Sequence, residues 1–181
     1  MSETAVLRTR RLVLRPWTDA DREPFAAMGR DPEVMRYFPG LLDRAASDAF
    51  VDRCMQRFAD CGWGLWVVDE GGFRGFTGLN PAPDALPCAP AVEVGWRLAR
   101  DAWGHGYATE AAQAALSYGF EELGLGEIVS FTATLNAPSI AVMQRLGMTR
   151  DPSEDFDHPA LPGGHPLRRH VLYRLAPLAR P

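Results

Sequence analysis

The residues Trp103-Gly104-His105-Gly106-Tyr107-Ala108-Thr109-Glu110-Ala111 place two glycines between a run that alternates and a run of helical period. Upstream, Ala91 to Leu98 sets apolar Val92, Val94, Trp96 and Leu98 against Glu93, Gly95 and Arg97, the period of a half-buried strand. Downstream, Ala112, Ala115, Leu116, Gly119, Phe120 and Leu123 recur at helical spacing, and Gly124 follows as a left-handed stop. A helix entered through such a turn points amide hydrogens that lack intrahelical acceptors at one spot, where its dipole is positive. Glycine lets the main chain come close, so the chemistry offered is the cradling of a pyrophosphate. A tight strand-to-helix connection with no ligand is the plainer alternative.

Two other phosphate motifs fail on the same letters. The dinucleotide fingerprint needs a third glycine or alanine, and Thr109 stands there. A Walker A loop needs lysine, and all 19 basic residues are arginines, which also excludes Schiff-base lysine chemistry.

The elements that must hold this turn can be read in chain order. Leu12-Val13-Leu14 predicts a first strand, and Thr18-Asp19-Ala20-Asp21 a helix cap, with the helix running to about Gly29. Asp31-Pro32 starts a short helical turn. Phe50, Val51, Cys54, Met55 and Phe58 share a face of a helix ending near Gly62. Trp63 to Val68 and Phe73 to Leu79 flank Asp69-Glu70-Gly71-Gly72 as a hairpin. Pro81 to Pro90 reads as a loop. Ile128 to Thr134 is a strand, and Asn136 or Ala137 begins a helix with Pro138 in its first turn and Gly147 past its end. Asp151 to Pro166 reads as an exposed loop before a last strand around Arg169 to Leu175. That order predicts an α/β fold with a sheet of mixed direction.

At 181 residues and 46% hydrophobic, the chain suits one domain over 1–181 with a substantial core. Net charge of −4 argues against nucleic-acid or anionic-membrane binding, which need a basic surface. The polar Met1-Ser2-Glu3-Thr4 start and the lack of a long apolar run predict a cytoplasmic protein. Cys54, Cys61 and Cys88 form no C-x-x-C pair and predict no disulfide framework. His158, His165 and His170 lack a zinc-type spacing, so no metal is expected. The arginine-only basic set with abundant Ala, Gly and Pro suggests a GC-rich, bacterial genome.

Trp103 to Ala108 resembles the acyl-CoA signature R/Q-x-x-G-x-G/A of the GNAT superfamily of N-acetyltransferases, with Trp103 at the Arg/Gln position. The form Trp-Gly-x-Gly-Tyr-Ala-Thr-Glu-Ala is similar to the ribosomal-protein N-terminal acetyltransferase branch. Thr9 to Pro16, Asp31 to Tyr37, and Asn136-Ala137-Pro138-Ser139 leading to Leu146-Gly147-Met148 extend the resemblance across nearly the whole chain. It implies the GNAT fold, a mixed, mostly antiparallel central sheet with flanking helices, in which strands flanking the central helix splay apart around a pantetheine arm.

The resemblance implies acetyl-CoA as donor and a primary amine as acceptor, either a protein N-terminal α-amine or a small molecule. A non-catalytic acyl-CoA-binding module is the competing class. The amides of Gly104, His105, Gly106, Tyr107, Ala108 and Thr109 would bind the pyrophosphate, and Trp96, Arg97 and Leu98 would pair main chain with the pantetheine. Asn136 would bond the same arm, while Arg145 or Arg100 would meet the nucleotide phosphates. Glu93 occupies the position of a general base, against the reading that it decorates a polar strand face. Met143 stands where many of these enzymes carry a tyrosine acid, leaving Ser139 as a candidate, or no acid at all, because thiolate leaves well. Tyr37, Phe38, Phe156 and His158 would wall the acceptor cleft. Related enzymes are often homodimers, though nothing in these residues fixes an interface.

Overall fold

Alternating apolar and polar runs joined by glycine turns build one twisted sheet, and the helical runs cover it. The computed structural model describes residues 4–177; Met1-Ser2-Glu3 of the polar start lie outside the described residues. The strands are β1 (Leu7–Arg8), β2 (Val13–Arg15), β3 (Leu65–Asp69), β4 (Phe73–Pro81), β5 (Val92–Leu98), β6 (Ile128–Ala133), β7 (Thr149–Arg150), β8 (Phe156–Asp157) and β9 (Arg169–Leu175). The helices are α1 (Arg22–Gly29), α2 (Arg44–Cys61), α3 (Tyr107–Glu121) and α4 (Ala137–Arg145). Sheet order is β1-β2-β3-β4-β5-β6-β9-β7, with β8 also on β9. Every pairing is antiparallel except β5 with β6. This is the mixed α/β architecture expected from the sequence.

Local chemistry sets the helix limits. Asp43 accepts from the Ala46 amide to start α2, and Gly62, at φ 77°, ends it. Thr18 and Asp21 form the expected capping box, but the first turn is 3-10 over Asp19–Asp21 before α1 begins. Arg15 fixes that corner, because its guanidinium bonds both oxygens of buried Asp21 and also Asp69 of β3.

The two faces of the central strands have different partners. On one, Ile128 and Leu79 come within 2.7 and 3.0 Å of where a Cβ on Gly119 would sit, closer than van der Waals contact, so α3 lies directly on the sheet with glycine at the crossing. On the other, Trp17, Phe25, Phe50 and Phe76 form an aromatic cluster in which Phe25 stacks on Phe50 at 4.8 Å.

The tail departs from the expected exposed loop. Phe156, Leu161 and Leu167 are buried, and β8 pairs with β9 through Phe156↔His170. A loop with spaced apolar residues can return onto a sheet edge, and this one does. Similarly, the 81–90 loop inserts Ala82, Leu86 and Cys88 into a second apolar group with Val129, Phe156 and Leu172. No helix among the described residues is long and apolar enough to cross a membrane.

Candidate active site

Strands β5 and β6 run parallel yet share a single register pair, Glu93↔Val129, reinforced where the Ser130 hydroxyl donates to the Val94 carbonyl at 2.9 Å. Past that point they part. The space between holds a cavity of about 570 Å³ lined by Trp96, Arg97, Leu98, Trp103, Gly104, Gly106, Tyr107, Ala108, Thr109, Asn136, Ser139 and Arg145. His105 and Arg100 do not line it. The His105 ring instead stacks on Tyr107 at 5.2 Å, on the exposed side of the turn.

The turn itself is shaped for an anion. Gly104 and Gly106 have φ of 76° and 78°, the left-handed region that side chains avoid. The Glu110 amide donates to the Gly106 carbonyl, which closes the first turn of α3. Among the described residues, the amides of Tyr107, Ala108 and Thr109 find no acceptor, and no side chain caps the helix. Trp103 ties the turn back by donating its indole N–H to the Leu98 carbonyl at 3.0 Å. Glu110 would oppose an anion there, but Thr9 donates to it at 2.6 Å, and Arg11 through its amide and Nε at 2.9 and 2.7 Å. Burial alone would raise the Glu110 pKa; these donors outweigh it and hold the carboxyl below its usual range.

A second cavity, of about 440 Å³, opens on the opposite face of β5. Cross-strand pairs Phe76↔Arg97, Gly78↔Gly95 and Asn80↔Glu93 put these side chains on one face, because opposed residues point the same way. Tyr37, Phe38 and Pro39 wall one side, and His158, Leu161, Leu167 and His170 the other. Tyr37, Phe38, Trp96, Arg97, Asn136 and Ser139 line both cavities, so the two communicate around β5.

Burial pushes the Glu93 carboxyl up to about 7, with the Asn80 amide acting against it. Burial likewise lowers the pKa of His158 and His170. Of the residues expected at the acceptor cleft, Tyr37, Phe38 and His158 line it and Phe156 does not. Phe156 is 5% exposed, packed in the second apolar group with its ring stacked on His170 at 5.6 Å, so it supports the wall from behind.

Asn136 does two structural jobs. Its Oδ1 accepts from the Ser139 amide at 3.3 Å and its Nδ2 donates to the Thr132 hydroxyl at 2.9 Å, which caps α4 and fixes it to β6. Met143 lines the acceptor cavity at 1% exposure and offers no proton. Among the described residues no group of three His, Cys, Asp or Glu side chains converges as a metal site.

Sequence reasoning did not single out Asn80, Gly95, His170 or the side chain of Arg97 as cleft residues. The signal was present in the alternation from Glu93 to Arg97. That pattern names a face without saying whether water or a wall of loops covers it.

A parted parallel pair beside unpaired helix amides, with a carboxyl titrating near neutrality across the strand, defines a group-transfer enzyme that takes a phosphate-bearing donor. Residues 11–149 match the acetyltransferase (GNAT) domain. The FsC-acetyl coenzyme A-N(2)-transacetylase of Aspergillus fumigatus is 36% identical over 79% of this chain and 64% of its own length. The uncharacterized N-acetyltransferase YnaD of Bacillus subtilis is 30% identical over 88% of this chain and 89% of its own length. The crystal structure of an acetyltransferase from Agrobacterium tumefaciens str. C58 superposes with a TM-score of 0.78 at 29% identity, covering 98% of this chain and 97% of that one. The chain belongs to the GNAT acetyltransferase family; it is an N-acetyltransferase and its acyl donor is acetyl-CoA.

The residues present fit that donor. Three unpaired amides behind two left-handed glycines suit a diphosphate, and nothing lies within 4 Å of where a Cβ on Gly104 would sit.

Proposed function

We propose that residues 1–181 form a single catalytic domain that acetylates a primary amine held in the cleft over Glu93, Gly95 and Arg97. The observation that carries this reading is the meeting of two cavities on β5, one beside the amides of 107–109 and one containing Glu93. Acetyl-CoA supplies the acetyl group as a thioester, already activated toward an amine.

The chain's own residues do the rest. The Tyr107, Ala108 and Thr109 amides grip the diphosphate, and Arg145 adds positive charge at the same cavity. Among the described residues, main chain of β5 beyond Glu93 has no strand on its β6 side, so it is available to orient the pantetheine amides. Glu93, its pKa pushed up to about 7, takes a proton from the acceptor ammonium directly or through water. Ser139 lines both cavities, and in this reading its hydroxyl meets the departing sulfur. Free Cys54, Cys61 and Cys88 suit a reducing compartment, and the bacterial cytoplasm is where we place the enzyme.

Thiol release from acetyl-CoA over a panel of amines and peptides tests the reading. Acceptor-dependent release supports it. Tight binding of the donor with no release on any acceptor returns the chain to a non-catalytic acyl-CoA-binding module.

A further inference from the structure

One charged side chain in the acceptor cleft has no counterpart among the described residues. Arg97 lies on the cleft face of β5, four residues along from Glu93 and so about 13 Å away between Cα atoms, with Gly95 between them. Nothing lies within 4 Å of where a Cβ on Gly95 would sit, so the ground between the two charges is open. The Arg97 guanidinium is held face-on to Phe38 at 3.8 Å from the ring centroid, with Phe76 at 5.5 Å. Its Nε and Nη1 are shut away from solvent, and among the described residues no acceptor reaches either.

Burying guanidinium N–H groups without acceptors is costly, and stacking on aromatic faces satisfies the charge without supplying the missing hydrogen bonds. Burial lowers the Arg97 pKa only to about 10, so at neutral pH the group keeps its charge. A fixed cation beside an open cleft, held rigid by aromatics and given no counterion by the described residues, is a recognition element waiting for an anion.

We infer that Arg97 selects the acceptor by pairing with a carboxylate on it, so that the amine acetylated belongs to an amino acid or a similarly acid-bearing small molecule. A carboxylate matches the planar fork of a guanidinium, and it brings one negative charge for the one positive charge available. A phosphate dianion would bring a second negative charge for which the described residues of the cleft lining hold no second guanidinium, and it would face Glu93 in the same cleft. Polyamines fare worse, since their second ammonium meets Arg97 as a like charge in a water-poor site.

The inference rests on the amine acetyltransferase reading, and the experiment separates the two. Thiol release is measured for matched acceptors: amino acids of several amine-to-acid spacings, their amides and their decarboxylated amines. For wild type, kcat/KM is expected to favour the acid over its amide by at least tenfold. In Arg97→Gln and Arg97→Lys the acid-to-amide ratio collapses toward one with glutamine and partly recovers with lysine, while the KM for acetyl-CoA moves less than that for the acid. Equal rates on acid and amide in wild type overturn the inference. So does a variant that loses both equally with a raised acetyl-CoA KM, which would make Arg97 a donor-binding residue.

If no amine is consumed, the transferase reading fails and the anion site is still decided by calorimetry. An N-acetyl amino acid titrated into the coenzyme A complex binds more tightly than its amide if the site exists, and with equal affinity if it does not. These two measurements use wild type, so a variant that fails to fold leaves the inference decided.

Discussion

A carboxyl pushed to about 7 has two consequences, one for rate and one for stability. As the base, Glu93 must be ionised, so kcat/KM is expected to rise about tenfold per unit below pH 7 and to level off above it. Glu93→Gln should remove that rising limb and lower turnover at pH 8 while leaving the acetyl-CoA KM nearly in place; a limb that survives would assign the titration elsewhere. The stability effect has the opposite sense. The folded pKa lies above the value near 4.3 expected unfolded, so the folded state binds the proton more tightly. The contribution of Glu93 is therefore full below about pH 4.3 and declines as pH climbs to 7. Between pH 5 and 8 the variant should lose less thermal stability than wild type, read by calorimetry across that range.

The turn before α3 works as an element, through main chain rather than side chains. Gly106 is the residue that caps α3, and an L side chain in its left-handed conformation costs about 1–2 kcal/mol. A Cβ there also approaches Arg11, whose Nη2 would lie 3.6 Å away. Gly106→Ala is accordingly expected to weaken coenzyme A binding about tenfold if the strain is relieved by turning the amides of 107–109 aside. Isothermal titration checks this, and unchanged affinity would show that the donor does not rest on those amides. The Thr9 and Arg11 bonds to Glu110 give the connection between β1 and β2 a role at this turn, since they hold an acidic side chain away from an anion site.

At the scale of the whole molecule, the first layer of the fold is pinned by Arg15, Asp21 and Asp69. Asp21 is 2% exposed; burial would raise its pKa, but Arg15 and Thr18 outweigh that and hold it below the usual range, as Arg15 and Gly72 do for Asp69. Such depressed groups stabilise the fold above their unfolded pKa near 4, and that contribution is lost as pH falls through the folded values. Arg15→Met leaves a buried carboxylate unpaired at a cost of about 3 kcal/mol, and it should flatten the acid limb of stability, both read by urea unfolding at pH 7 and pH 4. An unchanged midpoint would mean that water replaces the guanidinium.

Periodicity, glycine spacing and caps determined the elements from sequence alone: the hairpin over Asp69 to Gly72, the α2 stop at Gly62, the strand Arg169–Leu175 and the anion-shaped turn at Gly104 and Gly106 are local events. These depend on backbone angles and near neighbours, which the order of residues encodes directly. Tertiary structure alone decided which strand face is covered. It buried Phe156 behind the wall and enclosed Glu93 and Arg97, because distant segments at Tyr37–Pro39 and 156–170 return to the same face of β5. Desolvation depends on what arrives from elsewhere in the chain, and a strand's alternation holds no record of that.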